Sequence, residues 1–222
     1  MISRLILPIC LLLPVACRSA NTQEYHIERA DHFVVSGDDA SAAVEFEKAL
    51  QAAKPDWKLQ SNTGDCYARL KDYEKALKHY DAAVTIMEND IQKFSKMAAE
   101  EKDPDQKRLY TEIVETYIYP LLAGVYVAQA RIYSATDKLE AFSAAAKLAL
   151  ICDERNLVAR RLFAQSLEKR GDYKGALKEW TAFLALARNT ALSEREANGI
   201  TQKELKEAED RIADLFARQT QN

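Results

Sequence analysis

At 222 residues the chain can form one or two compact domains or one elongated solenoid. Hydrophobic residues make up 48%, enough for a continuous core, while a net charge of −3 without a basic stripe excludes the electrostatic footprint of a nucleic-acid binder. With 6 glycines and 5 prolines the chain lacks the turn residues that a β-sandwich or barrel needs.

The chain opens with Arg4 ahead of an apolar run from Leu5 to Ala16, interrupted by Pro8 and Pro14. A positive residue before a short hydrophobic stretch reads as a signal peptide, residues 1–16, too short for a stable span. It ends Leu13-Pro14-Val15-Ala16-Cys17. The small residue before the cysteine resembles a bacterial lipobox. That resemblance implies cleavage before Cys17 and a lipid anchor, such as palmitate, on it. Pro14 departs from the motif, which prefers leucine there; Leu13 stands one residue further back. An ordinary cut near Ser19 and an uncleaved anchor are the alternatives. Residues 17–22 follow as a tether. No later window is apolar for long enough to span a bilayer.

Two stretches then match at an offset of 34 residues, 23–56 and 57–90. In the first, small residues stand at Ala30, Ala42 and Ala49 and large ones at Phe33 and Phe46. In the second, Gly64 and Ala76 are small and Tyr67 and Tyr80 are large. Small residues let two helix backbones approach, and the large ones fill the gaps beside them. Ser36-Gly37-Asp38-Asp39 and Lys71-Asp72 supply the turns, with Gly37 or Asp38 able to adopt the left-handed conformation. Pro55-Asp56 closes the first unit and starts the next.

This spacing resembles the tetratricopeptide repeat (TPR), a pair of antiparallel helices recurring about every 34 residues. The resemblance extends to 123–156 (Ala130, Tyr133, Leu139, Phe142, Ala146, Ala149) and 157–190 (Ala164, Leu167, Gly171-Asp172-Tyr173, Ala176, Trp180, Phe183). Phe142 departs from the pattern, which wants a small residue there. It implies either wider helix spacing or a register shifted by one residue. The implied fold is all-α: a right-handed superhelix (α-solenoid) of about four helix-turn-helix repeats, with a helical hairpin insertion and a C-terminal capping helix.

The insertion is residues 91–122. The apolar stripe of the second repeat continues in phase through Tyr80, Val84, Met87, Ile91, Phe94 and Ala98. A stop comes only at Asp103-Pro104-Asp105. A second stripe, Leu109, Ile113, Tyr117 and Leu121, passes through Pro120, where a kink or break is expected. A protruding hairpin and a degenerate repeat both fit. Tyr110, Tyr117, Tyr119 and Tyr126 read as core, with a partner surface as the alternative. Residues 191–222 read as a loop, 191–200, then a capping helix. Thr201-Gln202-Lys203-Glu204 is a capping box, and Leu205, Ala208, Ile212 and Leu215-Phe216 form one face. A free amphipathic helix is the other reading.

Catalytic constellations are absent from the sequence. His26 and His32 are six apart, the wrong spacing for a helical metal pair, and no HExxH, GxSxG or phosphate-cradling loop occurs. No enzyme activity, metal or cofactor is implied. Cys66 and Cys152 read as small buried hydrophobes, or as a disulfide in an oxidising compartment.

The resemblance implies a protein-binding groove lined by the first helix of each repeat. Carried over, it offers Glu24, Ile27, Asp31, Lys58, Asn62, Asp65 and Arg69 from the first two repeats. The last two offer Val127, Arg131, Arg161, Gln165 and Lys169. The first half is acidic and the second basic, which suits a peptide with a basic and an acidic segment. Solvated surface charge is the alternative. The lysine–asparagine–arginine clamp of chaperone-binding members is essentially absent: Asn62 matches, but Ile27, Asp31, Gly124 and Ala128 do not. The function expected is a non-catalytic scaffold of the bacterial cell envelope. It would be tethered through Cys17, facing the periplasm at the outer membrane, and would dock an envelope protein or peptide. A periplasmic ligand-binding accessory of a transport system, with a cavity lined by Tyr117 to Tyr133, is the other expectation.

Overall fold

In the computed structural model the chain is described over residues 22–52 and 56–220. The signal peptide, most of the tether, Cys17 and Pro55 lie outside the described residues.

Every described element is helical. The elements are α1 (Gln23–Ser36), α2 (Asp39–Gln51), α3 (Trp57–Arg69), α4 (Tyr73–Glu100), α5 (Pro104–Glu112), a π-helical segment (Ile113–Ile118), α6 (Tyr119–Ala135), α7 (Leu139–Cys152), α8 (Leu157–Lys169), α9 (Tyr173–Asn189), α10 (Leu192–Ala197) and α11 (Gln202–Thr220). They stack as an α-solenoid whose antiparallel pairs are α1/α2, α3/α4, α6/α7 and α8/α9.

The pairs share one turn. After the first helix a single residue takes positive φ, at Gly37 (77°), Lys71 (61°), Asp137 (53°) and Gly171 (78°). The next residue caps the second helix: the Asp38, Asp72 and Asp172 side chains accept from the backbone N–H three residues on. Each such bond satisfies a donor that the helix start leaves unpaired. The left-handed positions recur at an interval of 34 within each half of the chain, from 37 to 71 and from 137 to 171. The interval is broken only between the second and third pairs, where the insertion lies.

The left-handed residue at 137 stands 34 before that at 171, as Phe142 stands 34 before Ala176. The repeat has exchanged an aromatic and an alanine. Elsewhere the order is alanine, then aromatic one turn later: Ala42 and Phe46, Ala76 and Tyr80, Ala176 and Trp180. Here it is Phe142 and then Ala146, both buried. The volume is kept and moved by one helical turn.

A polar rung links the two helices of three repeats, between residues 19 apart. His26 Nδ1 lies 2.6 Å from Glu45 Oε2, His79 Nδ1 lies 2.7 Å from Gln60 Oε1, and Arg160 Nη1 donates to Glu179 Oε2 at 2.8 Å. The first rung is buried at both ends, and Lys48 adds an ion pair to Glu45 at 2.9 Å. Tyr126 takes the equivalent place in the third repeat and donates instead to Glu88 of α4 at 3.3 Å.

The insertion is a helical hairpin. α4 overshoots its partner by running 28 residues to Glu100. The chain turns, Asp103 caps α5, and α5 returns along α4 with Tyr110 against Phe94, ring centroids 6.3 Å apart. Pro120 does not break the returning helix. A π-helical turn precedes it, in which the Tyr119 N–H donates five residues back to Val114. The wider turn supplies room where an α-helix would clash with the ring. Of the four tyrosines read as core, Tyr126 is buried and Tyr117 is exposed.

The loop expected at 191–200 contains α10, which is followed by the left-handed Gly199, and Ile200 is buried behind it. α11 covers the last repeat through Leu205, Ala208 and Leu215. Arg211 reaches Glu168 of α8 at 2.7 Å, and Arg188 of α9 reaches Glu209 at 2.8 Å. Cys66 and Cys152 are free thiols, each pushed up to about 11 by burial.

The turns and rungs make two outcomes measurable. Lys71 holds a left-handed backbone that glycine adopts at no steric cost, so Lys71→Gly should raise stability by up to about 1 kcal/mol, read as a higher thermal midpoint. Burial works to raise the Glu45 carboxyl, but His26, Lys48 and Arg29 outweigh it and hold it below its ordinary value. Its contribution is therefore present above the ordinary carboxylate range and lost as pH falls through the lowered folded value. Glu45→Gln should lower stability near neutrality and flatten the fall in thermal midpoint on acidification.

Candidate concave groove

Two adjoining clefts lie along the first helices. The larger, about 510 Å³, is bounded by Asp65, Ala68 and Arg69 of α3, by Tyr73 and Tyr80 of α4, and by Ala128, Arg131, Ile132 and Ala135 of α6. The smaller, about 130 Å³, is lined by Asp31, Val34, Phe46, Asn62, Asp65 and Arg69. Asp65 and Arg69 stand on the wall between them. The sequence-predicted residues Asp31, Asn62, Asp65, Arg69 and Arg131 are thus brought together. Lys58 is exposed in the first turn of α3, and Arg161 and Gln165 are half-buried on α8, outside both clefts. Lys169, at the end of α8, sits 3.9 Å from Asp137 and borders a separate cleft with Tyr133 and Phe142.

The acid at the centre is committed. Tyr80 donates its hydroxyl to Asp65 Oδ1 at 2.6 Å. Burial raises the Asp65 carboxyl above its ordinary value, while the Tyr80 hydrogen bond and the charges of Arg69 and Arg131 oppose that rise. Arg69 is committed too. Its Nε donates to Asp39 of α2 at 2.7 Å, and its Nη2 approaches the Cys66 sulfur at 3.4 Å. Arg131 faces this pair from the other wall with no carboxylate at ion-pair distance among the described residues.

Sequence reasoning assigned the groove to first helices alone and so missed Tyr73 and Tyr80. Tyr80 carried a signal: it stands where the first repeat has Phe46, and a buried tyrosine hydroxyl needs a partner. Gly64 is coupled to it, because a Cβ there would lie 2.7 Å from Tyr80 Cε1. The aromatic ring packs on the backbone of α3 and delivers its hydroxyl to the groove.

The tyrosines proposed for a ligand cavity do not converge. Tyr117 is exposed, Tyr126 is buried in the core, and Tyr133 borders the separate cleft near Phe142. Among the described residues no group of acidic, histidine and cysteine side chains could hold a metal ion, and no helix is long and apolar enough to cross a membrane.

Tyr80→Phe should remove a hydrogen bond to the half-buried carboxylate, cost about 1–3 kcal/mol and raise the pH at which Asp65 titrates, measurable by carbon-detected NMR.

Residues 57–90 match the family model for the tetratricopeptide repeat. No curated protein matches the chain. Among solved structures it is similar to YrrB, described as a TPR protein with an unusual peptide-binding site. The identity is 15%, over 86% of this chain and 84% of that one, with a TM-score of 0.50. MamA from AMB-1 shares 13% identity over 88% of this chain and 92% of that one, TM-score 0.48. A thermophilic TPR protein of Thermus thermophilus shares 16% over 80% and 97%, TM-score 0.36. At such identities the likeness is one of fold, and it rests on the first. Such repeats are generally non-catalytic modules that bind other proteins; residues 57–90 match one, and the turn geometry and buried small residues give the chain the same fold.

Proposed function

We propose that the protein is a non-catalytic scaffold of the bacterial cell envelope that docks an extended segment of a partner protein in the groove between α3 and α6. The observation that carries this reading is the cleft itself. Asp65, Arg69 and Arg131 point charge into a trough whose floor includes Ala128, Ile132 and Ala135. Apolar floor with charged walls suits a peptide whose backbone and small side chains lie below and whose charges pair above. Asp65 on one wall and Arg131 on the other favour a segment carrying both charges. YrrB, which shares the fold, is described as having a peptide-binding site, and this supports peptide as the ligand class.

The tether comes from the other end of the chain. Cys17 after Ala16, behind the apolar run from Leu5, supports a lipid anchor that holds the solenoid at the outer membrane, facing the periplasm. Residues 17–22 are then all that separates the anchor from the start of α1, which keeps the groove close to the membrane surface.

Cross-linked capture of the membrane-anchored protein from its own cells, with mass spectrometry, tests both parts. Recovery of one or a few envelope proteins, lost when Asp31, Asp65 and Arg131 are replaced together, is the expected result. Recovery unaffected by those replacements would overturn the groove reading. Metabolic labelling with an alkynyl palmitate should mark the protein and leave Cys17→Ala unmarked; equal labelling of both would remove the anchor.

A further inference from the structure

The two clefts of the groove are one feature built twice. Counted from the left-handed residue of its repeat, each residue lining the smaller cleft has its counterpart among those lining the larger. Asp31, Phe46 and Asp65 of the first are matched by Asp65, Tyr80 and Arg131 of the second. The volumes nevertheless differ, about 130 Å³ against about 510 Å³.

The remaining three counterparts all change toward alanine. Val34 stands three residues before Gly37, and Ala68 three before Lys71. Asn62 stands nine before Lys71, and Ala128 nine before Asp137. Arg69 stands two before Lys71, and Ala135 two before Asp137. At the first junction Arg69 also reaches across to Asp39 at 2.7 Å; at the second, Tyr73 occupies the place of Asp39. The side chains that fill the groove between α1 and α3 are therefore missing between α3 and α6. What they leave is a hollow bounded by the three alanines, Ile132 and the rings of Tyr73 and Tyr80.

The rim of the hollow carries both signs. Asp65 accepts from Tyr80 at 2.6 Å and feels the charges of Arg69 and Arg131. A charged side chain entering there meets an opposing charge as well as a partner, whereas an uncharged one loses nothing. The Tyr73 ring is 39% exposed, and Arg131 is exposed on the facing wall. A ring seated between them meets another ring at its edge and a guanidinium at its face.

We propose that the hollow between α3 and α6 is an anchor pocket for one aromatic side chain of the docked partner segment. The pocket rests on the groove reading and adds a residue class to it. Backbone and small side chains follow the groove, and one ring drops in where alanine replaces the larger residues of the first junction. A large side chain in a pocket with a polar rim is the arrangement that concentrates binding energy in one residue.

The test uses the full chain and isoleucine δ1-methyl NMR. Ile132 reports the hollow, and Ile151, 70% exposed on α7, is the internal control. The probes are acetylated, amidated peptides Ser-Gly-Xaa-Gly-Ser with phenylalanine, leucine, lysine or glutamate at Xaa. The phenylalanine peptide should shift Ile132 saturably and leave Ile151 in place. The leucine peptide should bind about threefold more weakly, and the charged peptides should leave Ile132 unmoved. Ala68→Val/Ala128→Asn gives the second junction the side chains of the first and should abolish the shift. The proposal is overturned by equal shifts at Ile132 and Ile151, by a leucine or charged peptide that binds as tightly as phenylalanine, by a response that survives the double variant, or by no response to phenylalanine.

The double variant should melt close to the parent, because both side chains already fit these positions one repeat earlier. If it does not fold, Ala128→Asn alone is read in the same way. Cross-linked capture separates the pocket from the groove. A partner lost when Asp31, Asp65 and Arg131 are replaced but kept by the double variant removes the pocket and leaves the groove reading. A partner kept by both sets of replacements removes both.

Discussion

In each helix pair the chain must reverse within two or three residues, and the rest of the solenoid depends on that reversal. One residue takes left-handed backbone, at Gly37, Lys71, Asp137 or Gly171, and the next caps the second helix. So short a turn fixes the axial offset between the helices. The small residues Ala30, Ala42 and Ala76 are then completely buried, and Gly64 lies against the Tyr80 ring. Close approach there buries Phe46, Tyr80 and Trp180 beside it almost completely. The polar rungs between residues 19 apart follow from the same offset, since they join side chains that the turn has brought level.

That geometry is robust enough to carry an insertion. The hairpin enters between the second and third repeats, yet α3 and α6 still form the two walls of one cleft. α4 simply continues past its pairing partner, and α5 brings the chain back along it. The π-helical turn before Pro120 lets the returning segment join α6 without a break. The groove stays continuous because the extra length leaves the stack at one side, and the helices that line it keep their neighbours.

Charge is distributed by the same logic. Polar groups inside the stack are matched: Glu45 by His26, Lys48 and Arg29, and Glu168 by Trp180 and Arg211. In the groove, Asp65 accepts from Tyr80 and feels the charges of Arg69 and Arg131. The capping helix closes the end of the core through Leu205 and Leu215, and its Glu204 and Glu207 stand within electrostatic reach of Arg161.

Repeat number, helix turns, the stripe running past residue 90 and the capping box at Thr201 were all legible in the sequence, because each depends on neighbours within about one helical turn or on a spacing of about 34. The acidic and basic groove candidates were legible as positions, though not as partners. Tertiary structure alone decided that Asp65 is bound to Tyr80, that Arg69 belongs to Asp39, and that Arg131 stands across from them. It also decided that Phe142 and Ala146 had traded volumes, that Tyr117 faces solvent and that a π-turn absorbs Pro120. These outcomes depend on how helices distant in sequence are rotated and offset against one another. Packing of the whole stack sets those angles, and no local pattern of residues encodes them.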